Sequence, residues 1–118
     1  MSNPARRRGA LQFTAVLLTS VALGASGCGA DDNAATQISM HDLQFGPSVA
    51  TATVGQRIEW RNDEHAPHNV IATSGADFHS QTIPQDGTFA FTARRSGTIK
   101  YLCSLHPGMT GTLRVSTG

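Results

Sequence analysis

Cysteine is scarce in this 118-residue chain, which has two, Cys28 and Cys103. Two thiols cannot make a disulfide-dense scaffold, and one thiolate per site is too few for an iron–sulfur cluster. Long apolar runs are also missing. Leu11 to Leu23 is broken by Gln12, Thr14, Thr19 and Ser20 and falls short of the roughly 20 apolar residues that a membrane-spanning helix needs. Beyond Thr36 no stretch carries a helical period. Neither sign of charge dominates. All eight acidic residues lie after Cys28 and three of the nine basic ones before it, so the remainder carries 6 − 8 = −2 with neutral histidines. That mildly acidic balance gives no support for nucleic-acid binding, which wants clustered Lys and Arg. There is no substrate-pocket motif, no nucleophile–base pair and no second metal cluster, so an enzyme is not expected. The length allows one domain and little more.

What is present begins with a leader. Arg6, Arg7 and Arg8 make a basic start, a short apolar segment follows, and small residues lead into Cys28. This three-part pattern predicts an export signal over residues 1–27. Ala25-Ser26-Gly27-Cys28 resembles a bacterial lipobox, in which the Cys becomes the lipidated first residue of the mature chain. Ordinary cleavage nearby would instead leave Cys28 an incidental thiol. A lone Cys directly after an apolar leader favours lipidation. Residues 28–35 are small and polar and are expected to form a flexible linker. Residues 36–118 are the expected domain, exported and extracytoplasmic, joined to the membrane through its lipid alone.

That domain is punctuated as short strands. Ile38 and Met40 point one way, and Leu43 and Phe45 do so after a one-residue slip, which predicts a β-bulge near His41-Asp42. Val49–Val54, Arg57–Arg61, Asn69–Thr73, a segment around Phe89 and Phe91, a strand from Gly97 through Tyr101, and Leu113–Val115 follow, with Gly55 and Gly87 in turns. Seven or eight strands in about 80 residues predict an all-β, antiparallel two-sheet sandwich. A core this small is marginal, and a bound metal would add to its stability.

The chemistry is concentrated near the C-terminus. Cys103-Ser104-Leu105-His106-Pro107-Gly108-Met109 sets a thiolate, an imidazole and a thioether at C-x2-H-x2-M, on one loop leaving a strand. Three such donors can converge on one point, but a fourth must come from elsewhere. His68, in Ala66-Pro67-His68-Asn69, is the best source. A soft thiolate with two imidazoles and a weak thioether is the donor set of electron-transfer copper. Zinc would prefer four strong tetrahedral ligands. With Cys28 lipidated, Cys103 would stand as a lone thiol in an oxidising compartment, a liability unless a metal occupies it.

From about Thr36 to Val115 the chain is similar to the cupredoxins, most of all to their amicyanin and plastocyanin branch. The likeness rests on Phe45-Gly46-Pro47, Val54-Gly55, Trp60, Ala66-Pro67-His68-Asn69-Val70, Gly87-Thr88-Phe89, Gly97-Thr98, Tyr101 and the Cys103, His106, Met109 spacing. The two-residue gap between His106 and Met109 resembles amicyanin. The resemblance implies a Greek-key sandwich and one type 1 copper ion, with His68, Cys103 and His106 as strong ligands and Met109 as axial ligand. It also implies that Asn69 hydrogen-bonds near Ser104 to tie the two ligand loops together. His106 is then expected near the surface among Pro67, Leu105 and Pro107, where a redox donor and acceptor dock transiently on a monomer.

Other residues carry plainer expectations. His65 and His79 read as solvated loop residues, Met40 as core and His41 as exposed. Asp63-Glu64 reads as a solvated pair, because neighbours on an extended chain point apart. A copper-trafficking protein could use the same ligands, but such proteins favour Met- or His-rich surfaces, and the three methionines here are Met1, Met40 and Met109.

Overall fold

The computed structural model describes residues 35–118. The expected export signal over residues 1–27, Cys28 and most of the 28–35 linker therefore lie outside the described residues. Eight strands follow in order: β1 Thr36–His41, β2 Gln44–Gly46, β3 Val49–Thr53, β4 Arg57–Asn62, β5 Ile71–Ser74, β6 Thr88–Thr92, β7 Gly97–Leu102 and β8 Thr110–Ser116. They form two four-stranded sheets, ordered β2-β1-β4-β6 and β3-β8-β7-β5. The two-sheet sandwich is thus the observed architecture. Each sheet is mixed, because β1 runs parallel to β4 and β3 parallel to β8 while the other pairs are antiparallel.

Alternation along the strands explains the packing. Period-2 side chains send Ile38 and Met40 of β1, Ile58 and Trp60 of β4, Ile99 and Tyr101 of β7, and Leu113 and Val115 of β8 into the space between the sheets, where all are buried. Trp60 from one sheet meets Tyr101 from the other edge-on, with ring centroids 5.3 Å apart, and Phe45 meets Tyr101 at 4.8 Å. Each fully buried large apolar side chain contributes about 1.5–3 kcal/mol. This aromatic seam is accordingly a main source of cohesion between the sheets. Gly111 makes room for it, since a Cβ there would overlap the Tyr101 ring and hydroxyl.

The bulge expected near His41-Asp42 is not what the slip encodes. His41 pairs with Gln44, and the two residues between them, Asp42 and Leu43, both have positive φ, 54° and 56°. This is a two-residue hairpin of the primed kind, whose twist suits the flanking strands. Met40 and Phe45 pair across it, so the inward period restarts on the returning strand, and Leu43 sits exposed at the tip.

Candidate metal centre

Two separate segments build the site, one from each sheet. The first is the loop leaving β4. Asn62 is fully buried, and its amide donates to the carbonyls of Ala66 (2.7 Å) and Ile83 (3.0 Å). Its side-chain oxygen accepts the Glu64 N–H at 3.0 Å. A buried amide satisfied on both ends fixes the loop rather than merely tolerating it. His68 then bridges to Ile83 through reciprocal backbone bonds, His68 N–H to Ile83 at 3.2 Å and Ile83 N–H to His68 at 2.6 Å. The second segment is the turn between β7 and β8. The Cys103 N–H donates to the Met109 carbonyl (2.9 Å) and the Met109 N–H to that of His106 (3.2 Å), closing a compact loop. Gly108 takes φ +82°, a conformation that favours glycine, and so lets the chain return to β8.

These segments bring His68, Cys103 and His106 together, with one donor atom from each lying within 4.8 Å of the others. His68 is wholly buried, Cys103 and Met109 nearly so, and His106 is half-buried. The His68 Nδ1 stands 3.7 Å from Cys103 Sγ, and the two imidazole centroids are 4.9 Å apart. His106 Nε2 bonds to the Pro67 carbonyl at 2.9 Å, which leaves its Nδ1 for the cluster. A thiol, two imidazole nitrogens and a thioether loop neighbour, gathered under a thin cover, suit a soft redox metal far better than a hard cation.

Supporting bonds surround the donors. Asn69 donates from its amide to Ser104 Oγ and accepts the Ser104 N–H, both at 2.8 Å, stitching the two segments together. The Asn69 N–H also points at Cys103 Sγ, 3.5 Å away. Pro67, Leu105 and Pro107 are exposed around His106. His65 and His79 are exposed as well, His65 lying 3.3 Å from Gln85 Oε1 and His79 forming an isolated bridge to Ile71.

Glu64 departs from its expected place. Far from being a solvated residue, its carboxylate contacts His68 Nε2 at 2.6 Å and accepts the Leu43 N–H at 3.0 Å. Burial pushes this carboxyl up, but the bonds from Leu43, His68 and the Asp42 backbone outweigh it and hold the group below the usual glutamate range. A carboxylate on the outer nitrogen of a ligating histidine fixes both tautomer and ring orientation. The four-residue spacing from Glu64 to His68 was the available signal. It goes unread without knowing that the Asn62-anchored loop curls back on itself. Asp63 points elsewhere, accepting from Ser39 Oγ (2.6 Å) and Arg61 Nε (2.8 Å).

Comparison with known proteins agrees with this donor set. The family model described as copper binding proteins, plastocyanin/azurin family, matches residues 32–116. Amicyanin-alpha from Methylorubrum extorquens is 28% identical over 112 residues, covering 86% of this chain and 94% of that one. Plastocyanin from Sambucus nigra is 32% identical over 78 residues, covering 56% and 79%. The structure of a Cu(I) form of an amicyanin variant superposes with a TM-score of 0.65 at 27% identity, covering 70% of this chain and 82% of that one.

Proposed function

The chain belongs to the plastocyanin/azurin family of copper-binding proteins, and from that premise we propose that it is an exported, lipid-tethered carrier of single electrons. It is a blue copper electron carrier and not an enzyme, as membership of that family implies. The convergence of His68, Cys103 and His106 donor atoms within 4.8 Å is the observation that carries the reading. In it, those three residues together with Met109 would hold one copper ion. Copper bound there supplies a one-electron couple.

The chain's own residues do the rest. Asn69 and Ser104 hold the two donor segments in register, and Glu64 orients His68. The sandwich excludes water from Cys103, His68 and Met109, while His106 reaches the surface among Pro67, Leu105 and Pro107. A small apolar rim of this kind suits brief docking of a redox donor and then an acceptor, since short-lived redox encounters bury little area. Residues 1–27 are read as the export signal, 28–35 as the tether from a lipid on Cys28, and 36–118 as a monomeric extracytoplasmic domain.

Adding Cu(II) to the purified protein is expected to produce an intense visible thiolate-to-copper absorption. The Cys103→Ala variant is expected to lack it, and voltammetry to show a reversible one-electron wave. A colourless copper complex, or colour that survives in Cys103→Ala, overturns the site. Separately, the mass of the mature N-terminal peptide reports whether Cys28 carries lipid.

A further inference from the structure

Charge is divided between the two ends of the sandwich. The end holding the metal donors carries Asp42, Asp63, Glu64 and Asp86 against Arg61, which pairs with Asp63 (2.8 Å) and Asp86 (3.0 Å), while Lys100 lies midway along β7. At the opposite end the β3–β4 turn meets the β6–β7 loop and the tail of β8, through Gly55 N–H to the Ala93 carbonyl (2.7 Å) and Val54 N–H to that of Ser116 (2.8 Å). That half carries Arg57, Arg94, Arg95 and Arg114 against Glu59 and Asp77, and Arg57 is engaged with Glu59 at 2.7 Å. Arg94 and Arg95 are exposed and have no ion-pair partner among the described residues. Together with Asp77 they line a cleft of about 520 Å³ floored by Phe91 and Ile99.

The chain also enters the fold at this end. Thr36 opens β1 beside Ile58, near the start of β4, whereas Met40 lies beside Asn62 at the metal end. We propose that the basic end rests on the anionic headgroups of the membrane to which the chain is tethered, so that the copper end faces away from the bilayer. The inference depends on the lipid on Cys28 proposed above. Eight residues of linker span at most about 27 Å, and about 16 Å on average for a flexible chain, which keeps Thr36 and its neighbours close to the surface. Each arginine held near an anionic bilayer strengthens attachment about fivefold. The field decays within about 8 Å at physiological salt, while β4 alone carries the chain about 17 Å from one end to the other. The carboxylates around the copper are therefore screened from the membrane. Asp77 offsets one of the two free arginines locally, and Arg114 adds a further cation on the same half.

For the test, the full chain is expressed in a bacterial host and loaded with copper, and the N-terminal peptide mass judges the tether by itself. The lipidated protein is placed in vesicles of phosphatidylcholine alone or of phosphatidylcholine with phosphatidylglycerol. An arginine-directed dicarbonyl reagent then compares Arg94 and Arg95 with Arg61 in the same molecules. Their relative reactivity is expected to fall several-fold on the anionic vesicles and to recover in high salt. Equal ratios on both vesicles, or greater protection of Arg61, overturn the proposal. If Cys28 proves unmodified, the tether fails, and the basic end is judged by sedimenting the soluble copper-loaded chain with the same vesicles. Replacing both residues, Arg94→Ala with Arg95→Ala, is then expected to weaken anionic-vesicle binding about 30-fold while the blue absorption persists. Unchanged binding, as when Asp31 and Asp32 already neutralise the arginines, rejects the basic end.

Discussion

At the residue scale, the strongest lesson concerns polar side chains behind the donors. Asn62 and Glu64 organise His68, yet in the sequence nothing singles out Asn62 and Asp63-Glu64 reads as a solvated pair. Strand alternation assigns sides on an extended chain, and it loses meaning where Asn62 bends the backbone into a loop. The donors themselves were legible, because a thiolate, an imidazole and a thioether at fixed short spacing have few uses besides a metal. Glu64→Ala is expected to weaken copper retention about 10–100-fold, the usual cost of losing a carboxylate behind a ligating histidine, as read by competition with a chelator at fixed pH. Glu64→Gln, which keeps an oxygen near His68 Nε2, should lose less. Equal copper affinity in all three proteins would show that His68 needs no such support.

At the scale of elements, the β1–β2 hairpin and the β7–β8 pair expose two different constraints. Leu43 adopts positive φ with its side chain in solvent, so it bears a backbone cost of about 1–2 kcal/mol with little packing in return. Leu43→Gly creates the Asp-Gly pair that such turns favour and is expected to stabilise the fold by about 1 kcal/mol in denaturant unfolding. The Glu64 contact would survive, since it uses the Leu43 N–H. Gly111 lies opposite Tyr101 in β7, and its bare backbone is what the tyrosine ring packs upon. Gly111→Ala is expected to cost about 1–3 kcal/mol by overpacking. Strand positions were readable from alternation in residues such as Ile58 and Trp60. The parallel pairing of β1 with β4 was not, because side-chain period is two in either direction.

For the whole molecule, stability should depend on both metal and pH. Copper held by donors that only the fold gathers binds the folded chain more tightly than the open one. Free copper at a thousand times the folded-state Kd is therefore expected to add up to about 4 kcal/mol, less whatever the open chain's own Cys and His retain. Calorimetry with and without chelator should show the corresponding rise in Tm. The buried Tyr101 phenol is pushed up to about 12 by desolvation, with Trp60 opposing weakly. The folded state therefore keeps a proton that the unfolded chain releases from pH 10 upward. This contribution is whole below pH 10 and lost as pH rises toward 12. Among the described residues, neither the Tyr101 hydroxyl nor the Trp60 indole N–H has a partner of full hydrogen-bond geometry. Tyr101→Phe should accordingly cost less than about 1 kcal/mol at neutral pH and flatten the alkaline decline. At the acid end, the bond from Ser39 leads the effects that hold Asp63 below its usual range, with burial opposing and Arg61 assisting. Stability from this group is present above the unfolded value of 3.8 and lost as pH falls through the lower folded one, and Ser39→Ala should shrink that loss in thermal melts.

The unequal burial of the donors has an electrical consequence. Cys103, His68 and Met109 are walled in by packed side chains, and His106 alone breaks through to solvent. Electron tunnelling through packed protein weakens steeply with every added ångström, so in the proposed carrier the centre would be a shielded conductor with its thinnest wall at His106. With docking at the His106 rim as proposed, a stray oxidant colliding with the flank or the arginine-bearing end would meet the thicker wall, and a partner pressed against that rim the thinner one. Leakage would then be limited by where the wall is thin, without any need for a tight grip on the partner.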